Sequence, residues 1–197
     1  MNEEYVVAIT GASGVIYGVE VLRALRALGA RTHVIISPSA AAILPVETAL
    51  TADAVAALGD WRHDPADLFG PLASGSYAVR LGGMAIVPCS MKTLAAIAHG
   101  YADNLVARAA DVVLKERRRL VVVPRETPLS SIHLRNMLAL AEAGAVVLPP
   151  MPAFYTRPAT VDDLVRQTVA RILDHLGLPA DFADRWAGLP RQANDGG

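Results

Sequence analysis

The fold is decided by residues 5–29, which read YVVAITGASGVIYGVEVLRALRALG. The first six residues form an apolar run that leads into a glycine-containing turn, as expected for a short buried strand. After the turn, Val15, Val19 and Leu22 lie at helical spacing, and Gly29 gives a stop signal. The stretch therefore predicts a strand, a tight turn and a helix, which together form the first unit of an α/β sheet.

The same alternation continues along the chain. We expect further strands at 32–37, 84–90, 120–126 and 145–150, main helices at 93–100, 104–118, 131–144 and 160–177, and two short helices between residues 39 and 59. Residues 61–83, rich in Pro, Gly and Ser, are expected to form a long surface loop. Apolar strands separated by helices are typical of a parallel sheet covered on both faces. We therefore predict one α/β domain over residues 1–178, followed by a tail, 179–197, that is disordered from Gln192.

The composition restricts the class of protein. The chain has 197 residues, 53% of them hydrophobic, and a formal net charge of −1. So small a charge gives no field that would draw the protein to nucleic acid or to an anionic membrane. The single cysteine, Cys89, excludes an internal disulfide and a multi-cysteine metal site, and the five histidines lack metal-ligand spacing. Without a membrane-spanning run or a signal-peptide pattern, we expect a cytoplasmic protein that binds no metal.

The turn TGASG at residues 10–14 is the first candidate for ligand binding. It joins a strand to a helix, where glycine lets backbone N–H groups approach an anion. Its glycines, with Gly18 in the helix, do not have the spacing of the dinucleotide-binding motif, and the second strand ends in Ser37 rather than in a carboxylate for the ribose. The pattern favours a mononucleotide over NAD, although glycine-rich turns also occur in α/β proteins that bind nothing there.

Two further strand ends carry polar side chains. Ser90 and Thr93 lie where the strand MAIVPCS leads into a helix, and Arg125 and Glu126 end the strand LVVVPRE. Each hydroxyl could simply cap the following helix, and the charge pair could be a solvated strand exit. In an open parallel sheet, however, these ends lie at the same edge, where α/β proteins bind ligands. We therefore expect them to share one site with the first turn.

Three cations and a tyrosine are candidates for holding an anionic group. Arg108 and Lys115 are seven residues apart and hence on one helical face, although an Asp111–Lys115 ion pair at a solvated helix end is the simpler interpretation. Arg171 lies beside the apolar stripe of the last helix, so its charge needs a partner. Tyr155 offers a hydroxyl from a loop after the last strand.

Six motifs, in this order along the chain, resemble those of the UbiX-type flavin prenyltransferases: TGASG, the strand end at Ser37, PCSMKT, RAADVVLKERR, LVVVPRETPLS and PAFYTRP. The resemblance implies a flavodoxin-like doubly wound sheet and a homo-oligomer, typically a dodecamer. It also implies a metal-independent transferase that joins the dimethylallyl group of dimethylallyl monophosphate to N5 and C6 of reduced FMN. In this family the prenylated flavin serves UbiD-type decarboxylases, as in ubiquinone synthesis.

The resemblance further implies which residues form the site. FMN would be held by Gly11, Ala12, Ser13, Ser37, Ser90, Met91, Lys92, Thr93 and Arg125. The allylic phosphate would be held by Arg108, Lys115, Tyr155 and Arg171. Ser13, Glu47, Lys115 and Glu126 would serve the chemistry. Such a reaction needs cations for the leaving phosphate and no side-chain nucleophile, because the flavin itself attacks.

Three alternatives agree less well with the sequence. An FMN-dependent cysteine decarboxylase of the same fold would carry a Pro-x-Met-Asn motif and a histidine on the first long helix, where this chain has PAFYTRP and GVIYGVEVLRAL. A non-catalytic flavin-binding module would not need the phosphate-holding cations. A NAD-dependent dehydrogenase disagrees with the glycine spacing and with Ser37. Cys89 and His133 are interpreted as structural residues.

The sequence also predicts a closed homo-oligomer whose site is completed between subunits. Helices so rich in alanine and leucine would leave exposed apolar patches on a monomer. Phe182 and Trp186 could anchor on a neighbouring subunit or fold back on their own chain.

Overall fold

The computed structural model describes residues 3–188, which contain one six-stranded sheet. Its strands are β1 (Glu4–Ile9), β2 (Arg31–Ile36), β3 (Trp61–His63), β4 (Leu81–Cys89), β5 (Arg119–Pro124) and β6 (Val146–Val147). Neighbouring strands are all parallel, in the order β3-β2-β1-β4-β5-β6. Without the three-residue β3, this is the strand order of flavodoxin-like proteins, so the predicted doubly wound α/β fold is confirmed.

Helices cover both faces of the sheet. They are α1 (Val15–Ala27), α2 (Pro38–Thr48), α3 (Ala52–Ala56), α4 (Gly75–Ala78), α5 (Met91–Ala98), α6 (Leu105–Lys115), α7 (Ser131–Glu142) and α8 (Val161–Leu176). The helices α1, α2, α3 and α8 enclose a first hydrophobic core on one face. The helices α4 to α7 enclose a second core on the other face.

The central strand β1 shows why both faces are covered. Tyr5, Val7 and Ile9 point into the first core, whereas Val6 and Ala8 point into the second. Successive side chains of a strand point to opposite faces, so an uninterrupted apolar strand needs a helical layer on each side. Burying an aliphatic side chain of this kind stabilises the fold by roughly 1.5–3 kcal/mol.

The helix α1 approaches the sheet closely at Gly18. A Cβ atom at this position would lie 2.5 Å from the Val87 carbonyl oxygen and 2.9 Å from the Ile9 side chain. Only glycine leaves room for such a contact. The approach fixes the first turn of α1 beside the carboxyl ends of β1 and β4.

The structure differs from expectation in residues 61–83, which are not simply a loop. They contain β3, a 3₁₀ helix (Pro71–Ala73), α4 and the start of β4, which begins at Leu81. At the other edge, β6 is shorter than the predicted strand 145–150. Leu148 still donates a 2.8 Å hydrogen bond to the Val122 carbonyl, but Pro149 and Pro150 have no N–H to continue the pairing.

A cluster of polar and aromatic side chains holds β3 and α4 against β1 and β2. His33 on β2 is only 2% exposed and stacks on Trp61 with ring centroids 4.5 Å apart. Its Nδ1 lies 2.9 Å from His63 Nε2, and its Nε2 lies 3.2 Å from Glu4 Oε2. The Tyr77 hydroxyl on α4 donates to the same Glu4 oxygen over 2.7 Å. We call these five residues the histidine cluster.

The chain beyond α8 packs on its own domain at first. Leu178 and Ala180 are 4% and 1% exposed and belong to the first core. The disorder predicted from Gln192 concerns residues outside the described part of the chain. Within residues 3–188, no helix has both the length and the apolar character needed to cross a membrane.

Candidate functional site

A cleft of about 470 Å³ opens at the carboxyl ends of the strands, where the strand order changes direction between β1 and β4. Three strand ends contribute to its walls: Thr10 and Gly11 follow β1, Ser37 follows β2, and Ser90 follows β4. Open α/β sheets bind ligands at this kind of position because the loops diverge there. The predicted meeting of the first turn with Ser37 and Ser90 is therefore present in the structure.

The first turn of the cleft is held by Glu47, at the end of α2. Gly14 has a φ of 98°, a left-handed conformation that suits glycine, and its N–H donates to Glu47 Oε2 over 2.8 Å. Val15 donates to the same oxygen over 3.2 Å. Burial raises the pKa of Glu47, but hydrogen bonds from the Ser13 hydroxyl and the two N–H groups, with the charge of Arg125, outweigh burial and hold the pKa below its ordinary value.

The end of the cleft near α2 has the character of an anion site. The Ser37 hydroxyl oxygen accepts a 3.2 Å hydrogen bond from the N–H of Ala40 and caps α2, so its own hydrogen is free to be donated. Gly11 faces Ser39 so closely that any side chain at position 11 would overlap it. A helix N-terminus beside a glycine turn favours a phosphate.

The end of β4 is fixed to the end of β1. The Thr10 hydroxyl donates to the Pro88 carbonyl over 2.9 Å and accepts the N–H of Ser90 over 2.7 Å. Ser90 in turn caps α5, because its oxygen accepts the N–H of Thr93 over 3.3 Å. The capping interpretation is confirmed for Ser90, and Ser90 and Thr93 also line the cleft, where their contact with a ligand stays a prediction.

Arg125 and Glu126 diverge although they are neighbours. Arg125 Nε donates to the Ser13 carbonyl over 3.0 Å, which ties the end of β5 to the first turn. Glu126 is exposed, and its Oε1 accepts the N–H of Thr127 over 2.9 Å. The structure thus brings Ser13, Glu47 and Arg125 together, and it leaves Glu126 at the surface of the same edge.

The start of α5 adds two more of the candidate residues. Met91 is partly buried against the second core. Lys92 lines the cleft, with its Nζ 3.4 Å from Asp103 Oδ2. Asp103 and Asn104 also line the cleft and were missed from the sequence. An asparagine directly before the apolar helix 105–115 is a helix-cap signal that could have indicated Asn104, whose side chain accepts the N–H of Ala107.

The cations Arg108 and Lys115 lie on α6, on the side of the sheet that holds the second core. Arg108 donates to the Ala73 carbonyl over 3.2 Å and pairs with Asp111 at 3.1 Å. Lys115 pairs with Glu116 at 2.5 Å. The expected Asp111–Lys115 pair was wrong, because Asp111 pairs with Arg108 and Lys115 pairs with Glu116 instead.

Tyr155 and Arg171 lie on the opposite side of the sheet. Arg171 is on α8, whose apolar face belongs to the first core, and it pairs with Asp174 at 3.0 Å. Tyr155 meets Trp186 edge-on, with ring centroids 5.7 Å apart. Within one chain, the sheet therefore separates two pairs of candidate phosphate ligands. One pair is Arg108 and Lys115, and the other is Tyr155 and Arg171.

The structure shows neither a reactive thiol at Cys89 nor a metal-binding group among the residues it describes. Cys89 is fully buried at the end of β4, and burial raises the pKa of its thiol far above the ordinary value, so the thiol stays protonated and unreactive. Among residues 3–188, no three histidine, cysteine or carboxylate side chains are grouped so as to hold a metal ion.

The residues of the cleft fit a flavin mononucleotide. Gly11 lines the cleft without a side chain, so a ligand can approach its backbone, and Ser37 offers a hydroxyl near the α2 N-terminus for a phosphate. No carboxylate stands at the end of β2 to receive an adenosine ribose. The volume of about 470 Å³ lies in the range of cofactor pockets.

Comparison with known proteins agrees with this geometry. Residues 1–173 match the family model described as Flavoprotein. A probable UbiX-like flavin prenyltransferase from a Streptomyces species (strain D7) is 58% identical over 185 residues, covering 93% of this chain and 92% of the relative.

Two solved structures are similar over nearly the whole chain. AnUbiX (PadA1) in complex with FMN and dimethylallyl pyrophosphate has 50% identity and a TM-score of 0.93, covering 96% of this chain and 100% of that one. A dodecameric FMN-dependent Ubix-like decarboxylase from Escherichia coli O157:H7 has 54% identity and a TM-score of 0.91, covering 94% and 100%. The chain therefore belongs to the Flavoprotein family and, within it, to the UbiX-like flavin prenyltransferases.

Proposed function

We propose that this protein is a flavin prenyltransferase, which joins the dimethylallyl group of dimethylallyl monophosphate to N5 and C6 of reduced FMN. The observation that carries the proposal is the cleft at the β1–β4 switch point, walled by hydroxyls and a glycine turn, in a chain 58% identical to a probable UbiX-like flavin prenyltransferase. AnUbiX contains FMN and dimethylallyl pyrophosphate, which supports both an FMN site and an allylic phosphate ester as donor.

The decisive experiment follows the flavin itself. The protein is incubated without oxygen with reduced FMN and dimethylallyl monophosphate, and the flavin is analysed by mass spectrometry. A mass gain of one C5 unit supports the proposal, and an unmodified flavin in the presence of both substrates contradicts it. Dimethylallyl pyrophosphate in a parallel reaction shows which ester is used faster.

The cofactor assignment is tested separately by titration calorimetry. We propose that Gly11, Ala12, Ser13, Ser37, Ser90, Met91, Lys92, Thr93 and Arg125 hold FMN. Because Ser37 replaces the ribose carboxylate, FMN should bind far more tightly than NAD or FAD. A preference for NAD or FAD would overturn this assignment.

The chain's own groups supply electrostatics and proton transfer. Bound reduced FMN supplies the nucleophile, so that a C–N bond forms as the allylic C–O bond breaks and phosphate leaves. We assign to Arg108, Lys115, Tyr155 and Arg171 the neutralisation of the charge that develops on this phosphate. The N5 proton is released as the first bond forms. The second bond uses the allylic C=C: one of its carbons takes up a proton, the other bonds to C6, and the C6 proton is lost. Glu47 beside Ser13, Glu126 or the released phosphate can carry these protons.

The separation of the cations indicates that one subunit does not provide all the ligands of the donor phosphate. The sheet lies between Lys115 on α6 and Arg171 on α8, so the two cannot reach one phosphate within a chain. Side chains more than half exposed on α7 and in the loop after β6 offer an apolar surface for assembly: Ile132, Leu134, Leu138, Met151 and Phe154. We therefore propose a homo-oligomer, in keeping with the dodecameric Escherichia coli structure, whose sites are completed between subunits.

Complementation tests this arrangement. Lys115→Ala and Arg171→Ala subunits should each be inactive with limiting donor while still binding FMN. If the two residues reach a site from different subunits, randomly mixed oligomers recover about a quarter of the sites with both residues intact. If both came from one chain, mixing would recover no activity.

The product is proposed to pass to a UbiD-type decarboxylase in the cytoplasm. Family membership supports this proposal. The prenylated flavin is the product of the reaction, so it has to leave the cleft and act in another protein. Reconstitution of an inactive UbiD-type apo-decarboxylase with this enzyme, FMN and the donor should restore carbon dioxide release. The alternative of a cysteine decarboxylase finds no support in α1, which carries no histidine.

A further inference from the structure

Asp174, on the last turns of α8, joins two arginines. Its Oδ2 lies 3.0 Å from Arg171 Nη1 and 2.7 Å from Arg185 Nη1, and its Oδ1 lies 2.7 Å from Arg185 Nη2. The Asp174 side chain is 19% exposed, whereas both arginine side chains are about half exposed. The hydrogen bonds from Arg185, and the charges of both arginines, outweigh burial and keep the pKa of Asp174 below its ordinary value. The carboxylate is therefore the fixed member of the group.

Arg185 belongs to a stretch that returns along α8, residues 178–186, which we call the C-terminal segment. Its beginning is anchored in the first core by Leu178 and Ala180. Its middle is held where Arg166 Nη2 donates to the Phe182 carbonyl over 3.1 Å. Its end is held by the bidentate Arg185–Asp174 pair, the geometry in which guanidinium and carboxylate bind best.

The C-terminal segment contacts Tyr155 directly and is linked to Arg171 through Asp174. Trp186 packs edge-on against the Tyr155 ring, and Arg185 shares the Asp174 carboxylate with Arg171. Tyr155 and Arg171 line two hollows of about 300 and 280 Å³, and Trp186 also lines the second.

Gln167 lies beside the same two hollows. It lines both of them and is 9% exposed, and its Nε2 is buried without a hydrogen-bond partner among the described residues. A buried amide N–H without a partner costs free energy, so the packing of α8 here leaves one polar group unsatisfied.

We propose that Asp174 is a positioning residue for the prenyl donor: it holds the Arg171 guanidinium and, through Arg185, clamps the C-terminal segment so that Trp186 supports Tyr155. The inference rests on the proposed function of Arg171 and Tyr155 as ligands of the donor phosphate. A half-exposed arginine has many rotamers, and fixing it beforehand lowers the entropy that binding would otherwise cost. Without the carboxylate, two guanidinium groups would repel each other and separate.

The sign of the expected effect separates positioning from simple electrostatics. Asp174→Asn removes a negative charge beside a phosphate site, so long-range electrostatics alone would tighten donor binding and lower KM. Loss of positioning should instead weaken donor binding and raise KM. We expect KM for dimethylallyl monophosphate to rise about 10-fold, with the FMN Kd unchanged and kcat changed less than twofold. Asp174→Glu should recover part of the loss, because the longer side chain keeps the charge.

The matched control is Asp162→Asn, which removes an exposed carboxylate from the first turn of the same helix. Its KM should equal that of the unaltered enzyme. An Asp174→Asn variant whose KM falls or stays within twofold overturns the inference. So does a variant whose FMN affinity is lost together with donor use, since that would indicate general unfolding.

Fluorescence gives a readout that does not depend on turnover. In a Trp61→Phe background, where Trp186 is the remaining tryptophan, Asp174→Asn and Arg185→Ala should both increase quenching of Trp186 by acrylamide. Unchanged quenching overturns the clamp even if KM rises. If the unaltered enzyme makes no prenylated flavin, the proposed function fails. Even then, increased Trp186 quenching and weaker binding of inorganic phosphate in Asp174→Asn would support the positioning of Arg171.

Discussion

The cleft and the histidine cluster both contain hydrogen-bonded polar side chains, but these side chains have different roles in the two regions. Around the cleft, polar groups are tied mainly to the backbone: Glu47 accepts two N–H groups of the first turn, and Arg125 donates to a carbonyl of that turn. In the histidine cluster, side chains are tied to each other, as His33 is to His63 and to Glu4. The cleft encloses about 470 Å³ of open space, whereas His33 at the centre of the cluster is 2% exposed.

The difference shows how a polar group can be free for a ligand without being strained. A hydroxyl or carboxylate that is oriented by backbone groups keeps lone pairs or a hydrogen for a further partner. A ring that is enclosed by other side chains has no such capacity and contributes only to stability. We therefore predict that substitutions in the cleft reduce activity more than stability, and that substitutions in the histidine cluster do the reverse.

Replacing Glu47 should have the largest effect on activity. Glu47→Gln keeps an oxygen for the N–H groups of Gly14 and Val15 but removes the charge and the ability to accept a proton. We expect turnover to fall about 100-fold, with a change in Tm of no more than about 3 °C. Prenylated flavin measured over time, and scanning calorimetry, check the two parts. Glu20→Gln on α1 is the control, and near-normal turnover in Glu47→Gln would contradict the assignment.

Replacing His33 should have the largest effect on stability. His33→Ala removes a buried ring stacked on Trp61 and leaves His63 and Glu4 without a hydrogen-bond partner on that side. We expect the free energy of unfolding to fall by about 3 kcal/mol. Urea unfolding measures this change, with His133→Ala for comparison, since the partly buried His133 ring only accepts the Ser130 N–H at the start of α7. A loss of FMN affinity at temperatures where the variant is folded would show that the two regions are not independent.

Tyr77→Phe is a milder test of the same cluster. The change removes the hydroxyl that donates to Glu4 but keeps the aromatic ring, and Arg31 remains paired with the Glu4 carboxylate. We expect a loss of about 1 kcal/mol in the free energy of unfolding. An effect as large as that of His33→Ala would mean that the contact of α4 with Glu4, rather than the buried ring, holds residues 61–83.

The smallest expected effect is a dependence of stability on pH. Burial lowers the pKa of His33 despite its contact with Glu4, and burial with the charge of His33 lowers the pKa of His63. Below the ordinary histidine pKa of 6.5, the unfolded chain therefore takes up protons that the folded chain does not. The free energy of unfolding should fall as the pH drops from 7.5 to 5.5, and less so in His33→Ala. A rise over this range would contradict the neutral cluster. Glu4 and Glu47, whose pKa values are lowered, contribute stability that is present above their ordinary pKa of 4.5 and is lost only as the pH falls below it, outside this range.

The main strands and helices could be predicted because each satisfies a local pattern. The apolar runs of β1, β4 and β5 and the helical spacing of α1 and α8 require only neighbouring residues, and their positions agree with the structure to within a few residues. Residues 61–83 could not be predicted in this way. The strand β3 has only three residues and is held by the histidine cluster, whose members come from positions 4, 33, 61, 63 and 77.

The sequence alone determined the order of strands and helices and the polar strand ends at Gly11, Ser37, Ser90 and Arg125, because such signals are local. Only the tertiary structure placed Glu47 under the first turn, since nothing near Glu47 in the chain indicates its partners at Gly14 and Val15. Only the tertiary structure, likewise, put Lys115 and Arg171 on opposite sides of the sheet and joined Arg171 to Arg185 through Asp174. The physical reason is the same in each case: hydrogen bonds and ion pairs depend on distances of about 3 Å, and the folded sheet sets those distances between residues far apart in the chain.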